Sequence, residues 1–141
     1  MSWDVMVFNF GGEPPSMDRL ADDDTPLPPL GPARQVRAAI SAALPGVDWS
    51  DPTWGLYSGD GFSIEFNTGK EDPIDGIMLY VRGGGDAIAA VLRFANPNGW
   101  SLLDCSTSEF LDPRRPSQAG WEGFQRFRDQ AFNRSRPFDE K

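Results

Sequence analysis

The chain has 141 residues, the length of one ordinary domain. Its composition, 39% hydrophobic and 24% charged, is that of a globular protein. With no histidine and a single cysteine, an intrachain disulfide, a His-Cys zinc site and a histidine-based triad are all excluded. The net charge of −8 disfavours direct contact with nucleic acid or an anionic membrane and would attract a basic protein. That charge is uneven: residues 1–76 hold 13 acids and 4 bases, residues 77–141 hold 8 and 9.

Trp3 to Phe10 is rich in β-formers and reads as a buried strand. Residues 11–31 follow, proline-rich and carrying Glu13, Asp18, Asp22, Asp23 and Asp24. This composition predicts a long, mobile acidic surface loop. A helix begins at Pro32 and stops at Pro45-Gly46, with Val36, Ile40, Ala43 and Leu44 on one stripe. Next comes a hairpin, 55–58 and 62–67 around Gly59-Asp60-Gly61, in which Phe62, Ile64 and Phe66 alternate with Ser63, Glu65 and Asn67.

Ile77 to Arg82 is the next strand, with Met78, Tyr80 and Arg82 on one face. Gly83-Gly84-Gly85 leads to a second helix capped by Asp86 and ended by Asn96-Pro97-Asn98-Gly99. Trp100 to Cys105 is the last predicted strand. Ser117 caps a C-terminal helix that turns Trp121, Phe124, Phe127 and Ala131 to the core, and 133–141 reads as a frayed tail. The order β-α-β-β-β-α-β-α predicts an α+β fold. It would be a single domain over 1–132, one largely antiparallel sheet packed by about three helices.

Few constellations carry chemistry. The turn 83–85 could seat a phosphate at a helix N-terminus, or be a tight turn needing positive φ angles. It lacks the P-loop ending and the dinucleotide spacing. Asp22-Asp23-Asp24, or Asp48 with Asp51, could offer oxygens to a hard cation, but neither matches a calcium loop. Cys105 has no histidine to activate it and reads as a buried, inert thiol. Carboxylate acid–base catalysis stays open in principle, though no spacing selects a pair. No cofactor, metal site or catalytic residue is expected.

Two groups of residues read as candidate partner-binding sites. Trp49, Trp54 and Tyr57, interleaved with Asp48 and Asp51, combine interface-type aromatics with acids suited to a basic partner; ordinary hairpin packing is the alternative. Pairing of the strands at 62–67 and 77–82 would bring Ser63 and Glu65 beside Tyr80 and Arg82. That face is either a binding surface or a helix-covered one with a structural Glu65–Arg82 ion pair.

The motifs Met1-Ser2-Trp3-Asp4-Val5, Ser50-Asp51-Pro52-Thr53-Trp54-Gly55, Gly61-Phe62-Ser63-Ile64-Glu65 and Val81-Arg82-Gly83-Gly84 resemble those of a family of small, uncharacterised bacterial proteins. The likeness runs from Met1 to about Asp112 and implies kinship but no activity. Gly85 departs from the family's Gly-Gly-Asp and lengthens the turn. Small acidic bacterial proteins of this type resemble immunity proteins that neutralise a toxin, an analogy of type. The opening residues lack the features of a secretory signal, no apolar run approaches a membrane span, and the lone cysteine suits a reducing cytoplasm. The expected function is a non-enzymatic protein-interaction module with a basic protein partner. The alternative is a small-molecule binder or weak enzyme using the polar face of the sheet.

Overall fold

A computed structural model of the chain describes residues 2–16 and 27–135. Alternating apolar residues build β1 (Trp3–Phe8), β4 (Phe62–Asn67) and β5 (Ile77–Gly83), each burying every second side chain. With β2 (Asp48–Asp51), β3 (Trp54–Ser58), β6 (Ser101–Asp104) and β7 (Glu109–Phe110) they form one antiparallel sheet in the order β2-β3-β4-β5-β1-β6-β7. Among the described residues three α-helices complete the α+β fold: α1 (Ala33–Ala43), α2 (Ala87–Ala95) and α3 (Ala119–Ser135). No described helix is long and apolar enough to cross a membrane.

The core lies on one side of the sheet. Val5, Ile64, Phe66, Leu79 and Val81 point inward and pack with Val36 and Ile40 of α1, Ile88, Val91 and Phe94 of α2, and Trp121 of α3. Each such apolar side chain, fully buried, contributes about 1.5–3 kcal/mol. The N-cap of α1 is Pro32, which has no capping side chain. Instead Asp72, far along the chain, accepts from the Ala33 N–H at 2.9 Å and places a carboxylate at the positive end of the helix. In α2 the cap is local, with Asp86 accepting from the Ala89 N–H at 3.3 Å. Ser117 does the same for Ala119, also at 3.3 Å.

Several expectations require correction. The strands β2 and β7 are additional, and β1 and β6 are shorter than the apolar runs that announced them. Residues 17–26, with Asp18, Asp22, Asp23 and Asp24, lie outside the described residues. The limb of the 11–31 segment that returns to the domain is not purely surface: Leu30 is buried, donates to the Ile74 carbonyl at 2.7 Å, and Gly31 accepts from Ile74 at 2.9 Å. Phe127 faces out and is 60% exposed, because α3 commits its apolar contacts at Trp121 and Phe124. The helix also continues through Ser135, into the segment expected to fray, and residues 136–141 lie outside the described residues. Cys105 is exposed, in the turn just beyond β6 rather than within a strand.

The 83–85 turn is a packing device. Gly83 and Gly85 adopt φ of 97° and 73°. A Cβ on Gly83 would lie 2.5 Å from the Gly61 carbonyl oxygen, and Gly84 donates to that oxygen at 2.7 Å. Arg128 donates to the Gly83 carbonyl and Trp121 to that of Gly85, so α3 closes over the turn. Gly83→Ala therefore combines a strained φ with a backbone clash, and its expected cost is about 3 kcal/mol or more in urea unfolding. Gly11 has φ of 73° but open space around it, so Gly11→Ala should cost only about 1–2 kcal/mol. Equal losses in the two variants would refute the close-approach account.

Candidate functional site

The face opposite the core carries no described helix, so its side chains must accommodate one another. The register shows how they are arranged. In one cross-strand row Leu56, Glu65, Tyr80 and Asp4 lie side by side; in the next, Trp54, Asn67, Met78, Met6, Leu103 and Phe110. A third row sets Ser58, Ser63 and Arg82 together. Leu56 is 48% exposed at the middle of the β3 strand, and Trp54, Met78, Tyr80 and Met6 are half-buried.

Aromatic stacking and one ion pair order this face. The rings of Trp54 and Tyr80 lie 5.7 Å apart and within 14° of parallel. Such pairs contribute about 0.5–1.5 kcal/mol beyond their buried area. The Trp54 indole donates to Glu65 Oε1 at 3.1 Å, while Glu65 Oε2 pairs with Arg82. Glu65 thus joins an aromatic pair to a guanidinium. The ion pair is partly exposed, its side chains 42% and 26% accessible, so solvent screening leaves it a small stabilising role. Its main effect is to hold Trp54 and Arg82 in fixed positions on an open surface.

Of the sequence candidates, Trp54, Ser63, Glu65, Tyr80, Arg82 and Asp51 share this face. Trp49 and Tyr57 do not. The Trp49 ring packs 6.0 Å from Phe66, donates its indole N–H to Ser41 at 2.9 Å, and lies where a Cβ on Gly55 would be. Tyr57 packs 6.2 Å from Phe62, against the core. The aromatic group therefore divides between the two faces, because strand alternation and a register shift between Asp48 and Asp51 separate Trp49 from Trp54. Asp48, which accompanies the aromatics in the sequence, also borders this face, and Asp4, Met6 and Leu56 belong to it although the sequence did not single them out as candidates. The run 3–10, apolar on nearly both faces, reads as wholly buried and so does not set Asp4 and Met6 apart from the core, and strand order, which places β1 beside β5, is not legible in it.

The rim is acidic. Asp48 and Asp51 stand at the two ends of β2, opposite Leu56 and Trp54 of this face, with Asp51 beside the β2–β3 turn. Asp48 accepts from the Ser50 hydroxyl and N–H at 2.6 and 2.8 Å, and Asp51 from those of Thr53 at 2.7 and 2.9 Å. These side-chain and then backbone hydrogen bonds hold both carboxyls below the ordinary aspartate range. At the other end the Cys105 N–H donates to the Asp4 carbonyl at 3.1 Å, and its thiol is pushed up by partial burial and then by the charges of Asp4 and Asp104. That shift disfavours the thiolate and any nucleophilic role. Among the described residues no three acidic or cysteine side chains converge to hold a metal ion.

Because hydrogen bonds favour the charged carboxylate, Asp48 and Asp51 should both titrate below the usual aspartate value in a carboxyl-carbon NMR titration. Their stabilising contribution is present above the unfolded-state pKa and is lost as pH falls through the depressed folded one. Ser50→Ala should raise the Asp48 value, and Thr53→Val that of Asp51, each leaving the other unchanged. Unshifted values in the wild type would contradict the turn geometry. Comparison with protein-family models, curated proteins and solved structures gave no match for the chain.

Proposed function

We propose that the protein is a non-enzymatic interaction module whose open sheet face receives a basic protein partner. The observation that carries this reading is the ordered aromatic and ionic array, Trp54, Tyr80, Glu65 and Arg82, on a sheet face that no described helix covers. Tryptophan, tyrosine, methionine and arginine are the side chains that anchor protein interfaces. Their positions are already fixed, so little side-chain entropy remains to be lost on binding.

The sign of the partner follows from charge. Asp4, Asp48, Asp51 and Glu65 stand on this face or its rim, against the Arg82 guanidinium on the face and Lys70 near Asp51, and the whole chain carries −8. Such a surface steers a basic partner and repels nucleic acid. An immunity-type role in the bacterial cytoplasm, occupying the basic active surface of a toxin, is one biological setting that suits these features.

The test is capture from host lysate at low and high salt, with wild type beside Tyr80→Ala/Leu56→Asp. A basic protein should be retained by the wild type at low salt and lost at high salt. The variant should bind it at least tenfold more weakly while its melting temperature stays within a few degrees. Retention of no partner at either salt would end this reading. So would a variant that loses stability but binds as before.

A further inference from the structure

A cleft of about 440 Å³ opens at the far edge of the sheet, away from Trp54, between the end of α2 and the segments 12–14 and 111–114. Apolar side chains dominate its lining: Trp100 and Phe110 face it together with Leu92, Leu102 and Leu111, beside Asn96 and Ser101. The walls are fixed by backbone bonds. The Asn96–Asn98 turn is closed by Asn98 donating to the Phe94 carbonyl at 2.7 Å, and Trp100 donates to that of Ala95 at 3.0 Å. On the other side Leu111 donates to the Leu102 carbonyl at 2.9 Å. Pro14 and Pro113 stiffen the two lips. A concavity of this size, mostly apolar with a few polar groups, is the form of a small-molecule site.

The rim sets the class of ligand. It carries Glu13, Asp112 and Arg114, two carboxylates against one guanidinium. Arg114 and Glu13 pair across the mouth at 3.5 Å, with both side chains almost fully exposed. An exposed pair of this kind yields readily to a competitor. A cationic ligand can take the place of Arg114 on Glu13, whereas an anionic one would have to displace Glu13 and then meet Asp112. The faces of Trp100 and Phe110 also favour positive charge near them.

We propose that this cleft binds a small organic amine with an apolar, aromatic-sized body, its ring between Trp100 and Phe110 and its ammonium at Glu13. The inference goes beyond the interaction reading: it shares Phe110, at the end of one row of that face, but uses none of Trp54, Glu65, Tyr80 or Arg82, which carry the interaction reading.

Charge substitution at the rim provides the test. Tryptamine and indole-3-propionate, similar in shape and opposite in charge, are titrated into the full chain and followed by nitrogen–proton NMR. The Trp100 indole signal is assigned with Trp100→Phe. Tryptamine should give a saturable shift at Trp100 and the acid should not. Glu13→Gln with Asp112→Asn, both at exposed positions, should weaken tryptamine about tenfold. Arg114→Gln removes the competitor and should tighten it two- to fivefold. A Trp100 signal that does not respond to tryptamine overturns the proposal. Equal response to both probes, or an acid that binds and is lost in Arg114→Gln, overturns it equally.

Discussion

Burial on one side only is the constraint on which the rest of this structure depends. All three helices send apolar side chains to the face formed by Val5, Ile64, Phe66, Leu79 and Val81. Every strand must then present its alternate residues away from that core, and no described helix takes them up. An uncovered antiparallel face is ordinarily polar. Here it is mixed, and it is ordered from within: Trp54 lies flat on Tyr80, Glu65 accepts from Trp54 and pairs with Arg82, and Ser2 donates to Asp4. The same side chains that give the face a structure without a cover give it recognisable interface chemistry.

What the sequence conveyed depended on whether alternation alone decided the question. It did for β4 and β5, where Ser63, Glu65, Tyr80 and Arg82 were placed on a common face, and the register sets Ser63 opposite Arg82 and Glu65 opposite Tyr80. It failed for β2 and β7, whose Asp, Ser and Glu residues have little β propensity. Those strands exist because a neighbouring strand offers its backbone groups, a tertiary effect that no local pattern reports. The division of Trp49 from Trp54 was hidden for a related reason. A register shift at 48–51 changes which face a residue joins, and composition cannot show it.

The helices show the same distinction. Val36, Ile40 and Ile88 followed their stripes into the core, since α1 and α2 lie flat on the sheet centre. The C-terminal helix meets the sheet near one end instead. A Cβ on Gly120 would fall 1.9 Å from Asp104 Oδ2, so α3 approaches the buried Asp104 through a glycine. Trp121 then reaches Trp3, with ring centroids 5.5 Å apart. Two turns further on, Arg128 still reaches the Gly83 carbonyl at the end of β5, while Phe127 beside it projects outward although its spacing from Phe124 suggested a shared apolar stripe.

An open sheet also has edges, and the way this one is finished bears on how a partner could approach. At the β2 edge the strand is four residues long, irregular in register, and ends at Pro52, which has no N–H to donate. Asp48 and Asp51 turn their carboxylates onto the N–H groups of Ser50 and Thr53, groups that an added strand would otherwise need. Short, irregular, charged edges resist strand addition. Main-chain pairing at β2 is thereby obstructed, whereas the broad side-chain array from Leu56 to Met6 stays accessible. A partner of the proposed kind would therefore meet side chains rather than main chain on this side of the molecule, where the Trp54–Tyr80 stack offers area and the surrounding carboxylates favour positive charge.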